Sequence, residues 1–253
     1  MTTDRYQRQT AFSGIGKEGQ ASLSRAAVVQ VGCGGLGSVL AETMIRAGVG
    51  KLTVIDRDTA DITNLHRQFL FDEEDVNKRT AKADAAAEKL KKIASGAEIR
   101  GIVAEFSAVN AEELLSGHDI VLDGTDNMQA RYVINDWCVK HDVPWIYGGV
   151  IAATGMTMTI LPGKGPCLRC LYPETELTVS NTPSTETEGI IATAPAFIAL
   201  LQATEAIKLL IGSPCLIRGL RIADLWSGDF HQMPISKDPE CLCCVRRQFT
   251  FLE

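Results

Sequence analysis

Residues 28–37 read Val-Val-Gln-Val-Gly-Cys-Gly-Gly-Leu-Gly, a β-branched run that feeds Gly32-x-Gly34-x-x-Gly37. Asp56 follows at the end of a second apolar run. In such a turn Gly32 permits a tight strand-to-helix reversal, Gly34 lets the backbone approach a phosphate, and Gly37 lets the new helix pack on its strand. The helix N-terminal amides then face an anion. The turn alone leaves dinucleotide and mononucleotide open. A second group of reactive side chains is Cys167-Leu-Arg-Cys170 and Cys241-Leu-Cys243-Cys244. Two C-x-x-C hooks are the ligand arrangement of a closed four-thiolate zinc site, structural in role because no position is left open. The competing reading is a redox pair or free thiols. Cys243 either replaces a neighbour as ligand or stays a free thiol. Cys33, Cys138 and Cys215 stand in apolar surroundings and read as small core residues.

A third group is charged. Asn64-Leu-His-Arg67-Gln68, Lys78-Arg79-Thr-Ala-Lys82 and Asp123-Gly-Thr-Asp126-Asn127 lie at the ends of expected strands or in the loops beyond them. Ligands of open α/β sheets bind outside the carboxyl ends of the strands, so Asp56, Asn64, Arg67 and Asp126 are expected to converge on the glycine turn. Hydride transfer has little use for so many charges. A nucleoside triphosphate does, because Arg and Lys offset its charge and a carboxylate holds magnesium between phosphates. Taken singly, Arg67 reads equally as a surface ion pair, the lysines as a solvated helix face, and Asp126 as a helix cap. The four histidines, His66, His118, His141 and His231, have no metal or catalytic spacing.

The elements that must carry these groups follow from pattern. Residues 26–31 are a strand, 36–47 a helix and 51–55 a strand, one right-handed βαβ unit. A helix is expected over 80–93, strands over 99–104 and 120–122, a helix over 131–140, and a strand over 143–147 that Gly148-Gly149 ends. After Gly149 the rhythm changes: 155–161 alternates as an antiparallel strand, 162–166 is a turn cluster, 190–211 a long helix, and 216–224 with 229–235 finish the sheet. The Thr-, Ser-, Glu- and Pro-rich stretch 173–188 is expected to be a mobile loop. A chain of 253 residues, 45% hydrophobic and 22% charged, buries a substantial core. Its net charge of −6 argues against a nucleic-acid backbone as main partner. The longest apolar run, 190–211, carries Gln202, Glu205 and Lys208, so no membrane span is expected. With no leader pattern at the N-terminus, a cytoplasmic location is the default.

With these residues assembled, the chain resembles the ThiF/MoeB/HesA family, the bacterial relatives of the ubiquitin-activating enzymes. The likeness runs from Arg5-Tyr-Gln-Arg8-Gln through Gly32–Gly37, Asp56-Arg-Asp58, Asn64–Gln68, Asp123–Asn127, Arg131 and both cysteine hooks to Gln202-Ala-Thr-Glu-Ala-Ile-Lys208. It implies one adenylation domain over 1–253. This is an α/β, Rossmann-like mixed sheet whose parallel N-terminal part (1–149) binds nucleotide and whose antiparallel part (150–253) binds the carrier and a structural zinc. The implied reaction is ATP-dependent adenylation of the C-terminal glycine carboxylate of a ubiquitin-fold sulfur carrier ending in Gly-Gly, with release of pyrophosphate, by a homodimer. Carried over, Gly32, Gly34, Gly35 and Gly37 floor the nucleotide site, Asp56 holds the ribose, and Asn64 and Arg67 contact phosphates. Lys82 steadies the α-phosphate, with Lys78 the alternative, and Asp126 binds magnesium. Asp58, Gln68 and Asn127 complete the set, while Arg8 enters the active site of a second subunit. Thr185 stands where many relatives carry a loop cysteine, and 173–188 contains none. A hydroxyl is a poor sulfur carrier, so a separate sulfur donor is expected. A nicotinamide-dependent oxidoreductase and a non-catalytic scaffold for a ubiquitin-fold partner are the rival readings, and the pathway the carrier serves is left open.

Overall fold

The computed structural model describes residues 5–173 and 185–253. Two helices that periodicity did not announce, α1 (Gln7–Ala11) and α2 (Gly16–Arg25), precede β1 (Ala27–Val31). The glycine turn leads into α3 (Gly35–Ala47), which ends on Gly48 in the left-handed region, where a glycine C-cap belongs. β2 (Lys51–Ile55) completes the expected βαβ unit. Next comes α4 (Glu73–Lys78), a helix that periodicity did not announce, opened by a capping box of Asp72 with Asp75. Then follow α5 (Lys82–Ile93), β3 (Glu98–Ile102), α6 (Ala111–Leu115), β4 (Ile120–Asp123) and α7 (Met128–His141).

β5 (Trp145–Ile151) corrects one expectation: it runs through Gly148 and Gly149 instead of ending there. It pairs with β6 (Thr154–Ile160) over seven residue pairs, and bare glycine is needed because the Gln202 amide and the Tyr147 hydroxyl occupy the space a side chain would fill. After α8 (Leu168–Leu171) and a helical turn at Thr185–Glu188, the long helix α9 (Thr193–Leu210) leads to β7 (Leu220–Asp224) and β8 (Asp229–Met233). The strand expected from 216 starts four residues late, because Ile217 N donates to the buried Glu205 carboxylate of α9 instead of to a neighbouring strand. Cys215, expected in the core, is exposed in the loop before it. The expected mobile loop 173–188 lies for the most part outside the described residues.

The described strands form one sheet in the order β3-β2-β1-β4-β5-β6-β7-β8. It is parallel from β3 to β5 and antiparallel from β5 to β8, as the change of texture after Gly149 implied. Alternation along each strand splits the core in two. Val28, Ile120 and Leu122 face the layer of α3, α5 and α9, while Val29, Val31 and Val121 face α6, α7 and the cysteine hooks. α9 is long and apolar enough by length and composition to cross a membrane. Here it lies on the sheet: Ala199, Ala203 and Ala206 are buried against α3 and the strands, and the buried Gln202 and Glu205 are hydrogen-bonded within the fold.

Candidate functional site

The site forms where β1, β2 and β4 end. Gly32 has φ of 88°, open to glycine at little cost. A methyl group at Gly32 would lie 2.5 Å from the Gly124 carbonyl oxygen, and one at Gly37 only 2.1 Å from the Gly32 carbonyl oxygen. The glycine turn is thus locked backbone to backbone with the loop after β4. At Gly34 a methyl would meet nothing nearer than Gln68 Nε2 at 3.6 Å, so the surface above this glycine is free for an approaching ligand. Gln30, a polar residue within the apolar run of β1, is fully buried, and its Nε2 donates to Gly32 O (2.9 Å) and Gly37 O (3.0 Å). It holds the turn closed from below, a role that the sequence signalled only as one amide in a strand of valines.

Asp56 leaves β2 facing the turn. Its carboxylate accepts Cys33 N at 2.6 Å and Asp58 N at 2.7 Å, and burial pushes its pKa above the usual carboxylate range against those hydrogen bonds. Asp58 in turn meets Lys82, the first residue of α5, whose buried ammonium lies 3.2 Å from Asp58 Oδ2. Lys82 N also donates to Asp58 O (2.8 Å), so backbone and side chain fix it together. Lys78 points elsewhere, pairing with Glu74 on the exposed face of α4. The segment 62–68 then folds over the turn. Arg67 lies against Gly35 and its guanidinium donates to Asn64 Oδ1 at 2.6 Å. Burial lowers the Arg67 pKa, and the nearby Asp126 carboxylate opposes that shift. Gly32, Gly34, Gly35, Gly37, Asp56, Asp58, Asn64, Arg67, Gln68, Lys82 and Asp126 therefore gather around one helix N-terminus.

Asp126 stands exposed at the tip of the loop after β4, with no hydrogen bond or ion pair of its own among the described residues. The cap of α7 is Asn127, whose Oδ1 accepts Ala130 N at 2.8 Å. Its side-chain oxygen thus serves the helix, and the capping alternative for Asp126 falls away. Arg8 is exposed on α1. Neighbouring Gln9 donates to Ala47 O at the far end of α3, and 13 residues make that helix about 20 Å long. Within one chain, Arg8 is not brought to the glycine turn.

The cysteine hooks converge as expected. The sulfurs of Cys167, Cys170, Cys241 and Cys244 lie within 4.8 Å of one another, with Cys167–Cys241 at 3.6 Å, Cys170–Cys244 at 3.5 Å and Cys167–Cys170 at 4.0 Å. A tetrahedron with zinc–sulfur bonds of the usual length needs sulfurs about 3.8 Å apart. These spacings fit that ion and are too long for disulfides. Cys243 stays outside the tetrahedron, buried, accepting a hydrogen bond from Asn135 Nδ2 at 3.2 Å. Asn135 Oδ1 also accepts Leu168 N, and Asp136 accepts Arg169 of the first hook and Phe251 N of the C-terminal tail. Both hooks are thus anchored on α7, as metal sites require of their surroundings.

The ThiF family pattern matches residues 6–243. The chain belongs to the ThiF family. Among its relatives in that family is the sulfur carrier protein ThiS adenylyltransferase of Bacillus subtilis, 38% identical over 99% of this chain and 74% of that protein. The sulfur carrier protein adenylyltransferase of Thermus thermophilus is 34% identical over 95% and 90%. In structure, the ThiF-family fold seen here matches that of E. coli MccB in its crystal structure with ATP, with a TM-score of 0.83 at 23% identity over 96% of this chain and 75% of that one.

Proposed function

We propose that this ThiF-family chain uses ATP to adenylate the C-terminal glycine carboxylate of a ubiquitin-fold sulfur carrier, and that it does so as a homodimer. The observation that carries the reading is the convergence of Arg67, the buried Lys82 and the unpartnered Asp126 on the open N-terminus of α3. The likeness to sulfur carrier protein adenylyltransferases supports the choice of carrier. The floor Gly32–Gly37 cradles the phosphates, Asp56 accepts from the ribose hydroxyls, Arg67 and Asn64 hold phosphate oxygens, and Asp126 would hold magnesium. The carrier's carboxylate attacks the α-phosphorus, the α–β phosphoanhydride bond breaks, and pyrophosphate leaves. No general base is needed, because the attacking carboxylate is already ionised. Positioning and charge neutralisation by Lys82 and Arg67 lower the barrier, and magnesium held by Asp126 would supply further neutralisation of the phosphate charge. Arg8, remote from its own glycine turn, serves the site of a second copy.

The chain stops at the acyl-adenylate, and a separate donor brings sulfur. Its buried thiols, Cys33, Cys138 and Cys243, are sealed in the core, and the exposed Cys215 follows the C-terminal end of α9. The other end of that helix touches Gly35 through Pro195. An 18-residue helix spans about 27 Å, which separates Cys215 from the glycine turn. Pyrophosphate release with ATP, magnesium and Gly-Gly carriers tests the reading: carrier-dependent release that Asp126→Asn abolishes supports it, and a spectral change with a nicotinamide in its place overturns it.

A further inference from the structure

The parallel ladder between β4 and β5 is short. It pairs Val121 with Trp145 and Leu122 with Ile146, and beyond those pairs the strands part. Helices from both faces of the sheet reach into the opening. From α9, Gln202 Nε2 donates to Asp123 O (2.9 Å) and Ile146 O (3.2 Å), one carbonyl from each parting strand. From α7, Arg131 donates to Asp123 Oδ2 (3.0 Å), Thr125 O (2.7 Å) and Gly148 O (2.9 Å). The buried Asp123 carboxylate also accepts Thr125 N and Thr125 Oγ1. Among the described residues, Gly124 N donates to Val31 O of β1 (2.8 Å), and the other polar anchors of the segment leading to Asp126 come from this knot.

Gln202 is fully buried, yet its Oε1 has no partner. Turning the amide over would set that oxygen against two carbonyls, so the orientation is fixed by repulsion as well as attraction. The amide lies flat on Gly148, where a methyl group would come within 2.5 Å of its Cδ, Nε2 and Oε1. A buried amide kept at the expense of an orphaned acceptor is poor for stability. It is well placed to hold a strand-end carbonyl three residues before a carboxylate that has no support of its own.

We infer that Gln202 is a positioning residue for Asp126, setting the place of that carboxylate from α9 through the Asp123 carbonyl. The inference rests on the reading of Asp126 as the magnesium-nucleotide ligand. Small displacements of a reacting constellation cost on the order of a hundredfold in rate, so loss of the amide is read mainly in kcat. The test uses the full chain with a Gly-Gly carrier that the wild-type protein adenylates. Gln202→Met removes the donor at similar volume, and Gly148→Ala displaces the amide by an independent route. Each is expected to lower kcat about tenfold to a hundredfold, to leave KM for the carrier within about twofold, to raise the magnesium concentration at half-maximal rate, and to keep wild-type zinc content. Because Asp126→Asn removes turnover, the double variant is read as magnesium-ATP affinity by calorimetry: in an Asp126→Asn background, Gln202→Met is expected to add less than about twofold, because its effect passes through Asp126. Unchanged kcat and magnesium dependence in both variants, or losses that multiply in the double variant, overturn the inference. A wild-type chain that adenylates no carrier overturns the functional reading on which it rests.

Discussion

The glycine turn and the cysteine corner both gather polar groups, and they are built by opposite means. At the turn, the backbones of Gly32, Gly37 and Gly124 touch, and side chains such as Gln30 and Gln202 serve the backbone by holding its carbonyls. At the corner, four thiols do the work, and α7 holds the loops that carry them through Asn135 and Asp136. The turn depends on the absence of Cβ atoms and the corner on four thiols spaced to hold an ion. Each is therefore open to a different disruption: the first to any added atom, the second to removal of whatever metal its thiols hold. α7 belongs to both, with Asn127 beside Asp126 at its start and the hooks tied to its middle.

The largest effect is expected at the turn. Gly37→Ala places a methyl 2.1 Å from the Gly32 carbonyl oxygen, which only backbone movement relieves. A loss of about 4 kcal/mol, in the tail of single-substitution effects, is expected in denaturant unfolding together with loss of ATP binding. At the corner, zinc removal by a chelator is expected to cost about 3 kcal/mol, a fall of about 6–12 °C in Tm. ATP affinity measured calorimetrically is expected to stay within about threefold, since the glycine turn makes no contact through thiolates. If instead chelation abolishes nucleotide binding, the two regions are one unit joined through α7.

Much of this contrast was legible in the chain. β1, α3 and β2, the cysteine hooks and the antiparallel continuation follow from period and spacing, because local pattern decides them. Gln30, Gln202 and the Asp123–Arg131 pair did not announce their roles. Their partners are carbonyls and a carboxylate brought close only by the sheet. Gln30 has local partners, seven residues apart at most, yet the geometry exists only once the turn has folded. Cys215 read as core from its neighbours, but Glu205 captures the following backbone and leaves the residue in an exposed loop. α6, five residues long, fell below any reliable period.

Smaller effects separate neighbours within the nucleotide corner. Lys82→Met is expected to lower kcat/KM for adenylation about a hundredfold, the scale of one lost electrostatic contact to developing charge. Lys78→Met, which removes only an exposed pair with Glu74, is expected to change stability by less than about 0.5 kcal/mol and activity not at all. Equal losses in the two variants would reverse the choice between these lysines. The smallest effect is in pH. Burial raises the Asp56 pKa, so the folded state retains a proton that the unfolded state gives up. Between the ordinary carboxylate value and the raised one, the stability that Asp56 contributes falls as pH rises. ATP affinity is expected to move the other way, increasing with pH across the same window as the ionised carboxylate becomes available to the ribose. Asp136 is shifted in the same direction by burial and contributes to the stability trend alone. Nucleotide titrations at several pH values, with Asp56→Asn as reference, check the sign.

The most direct test of the account is the intact mass of a Gly-Gly carrier after incubation with the chain, ATP and magnesium. An AMP adduct on the C-terminal glycine is expected to form with wild type and to be absent with Asp126→Asn. A carrier that stays unmodified, or one recovered covalently joined to a cysteine of this chain, would contradict it.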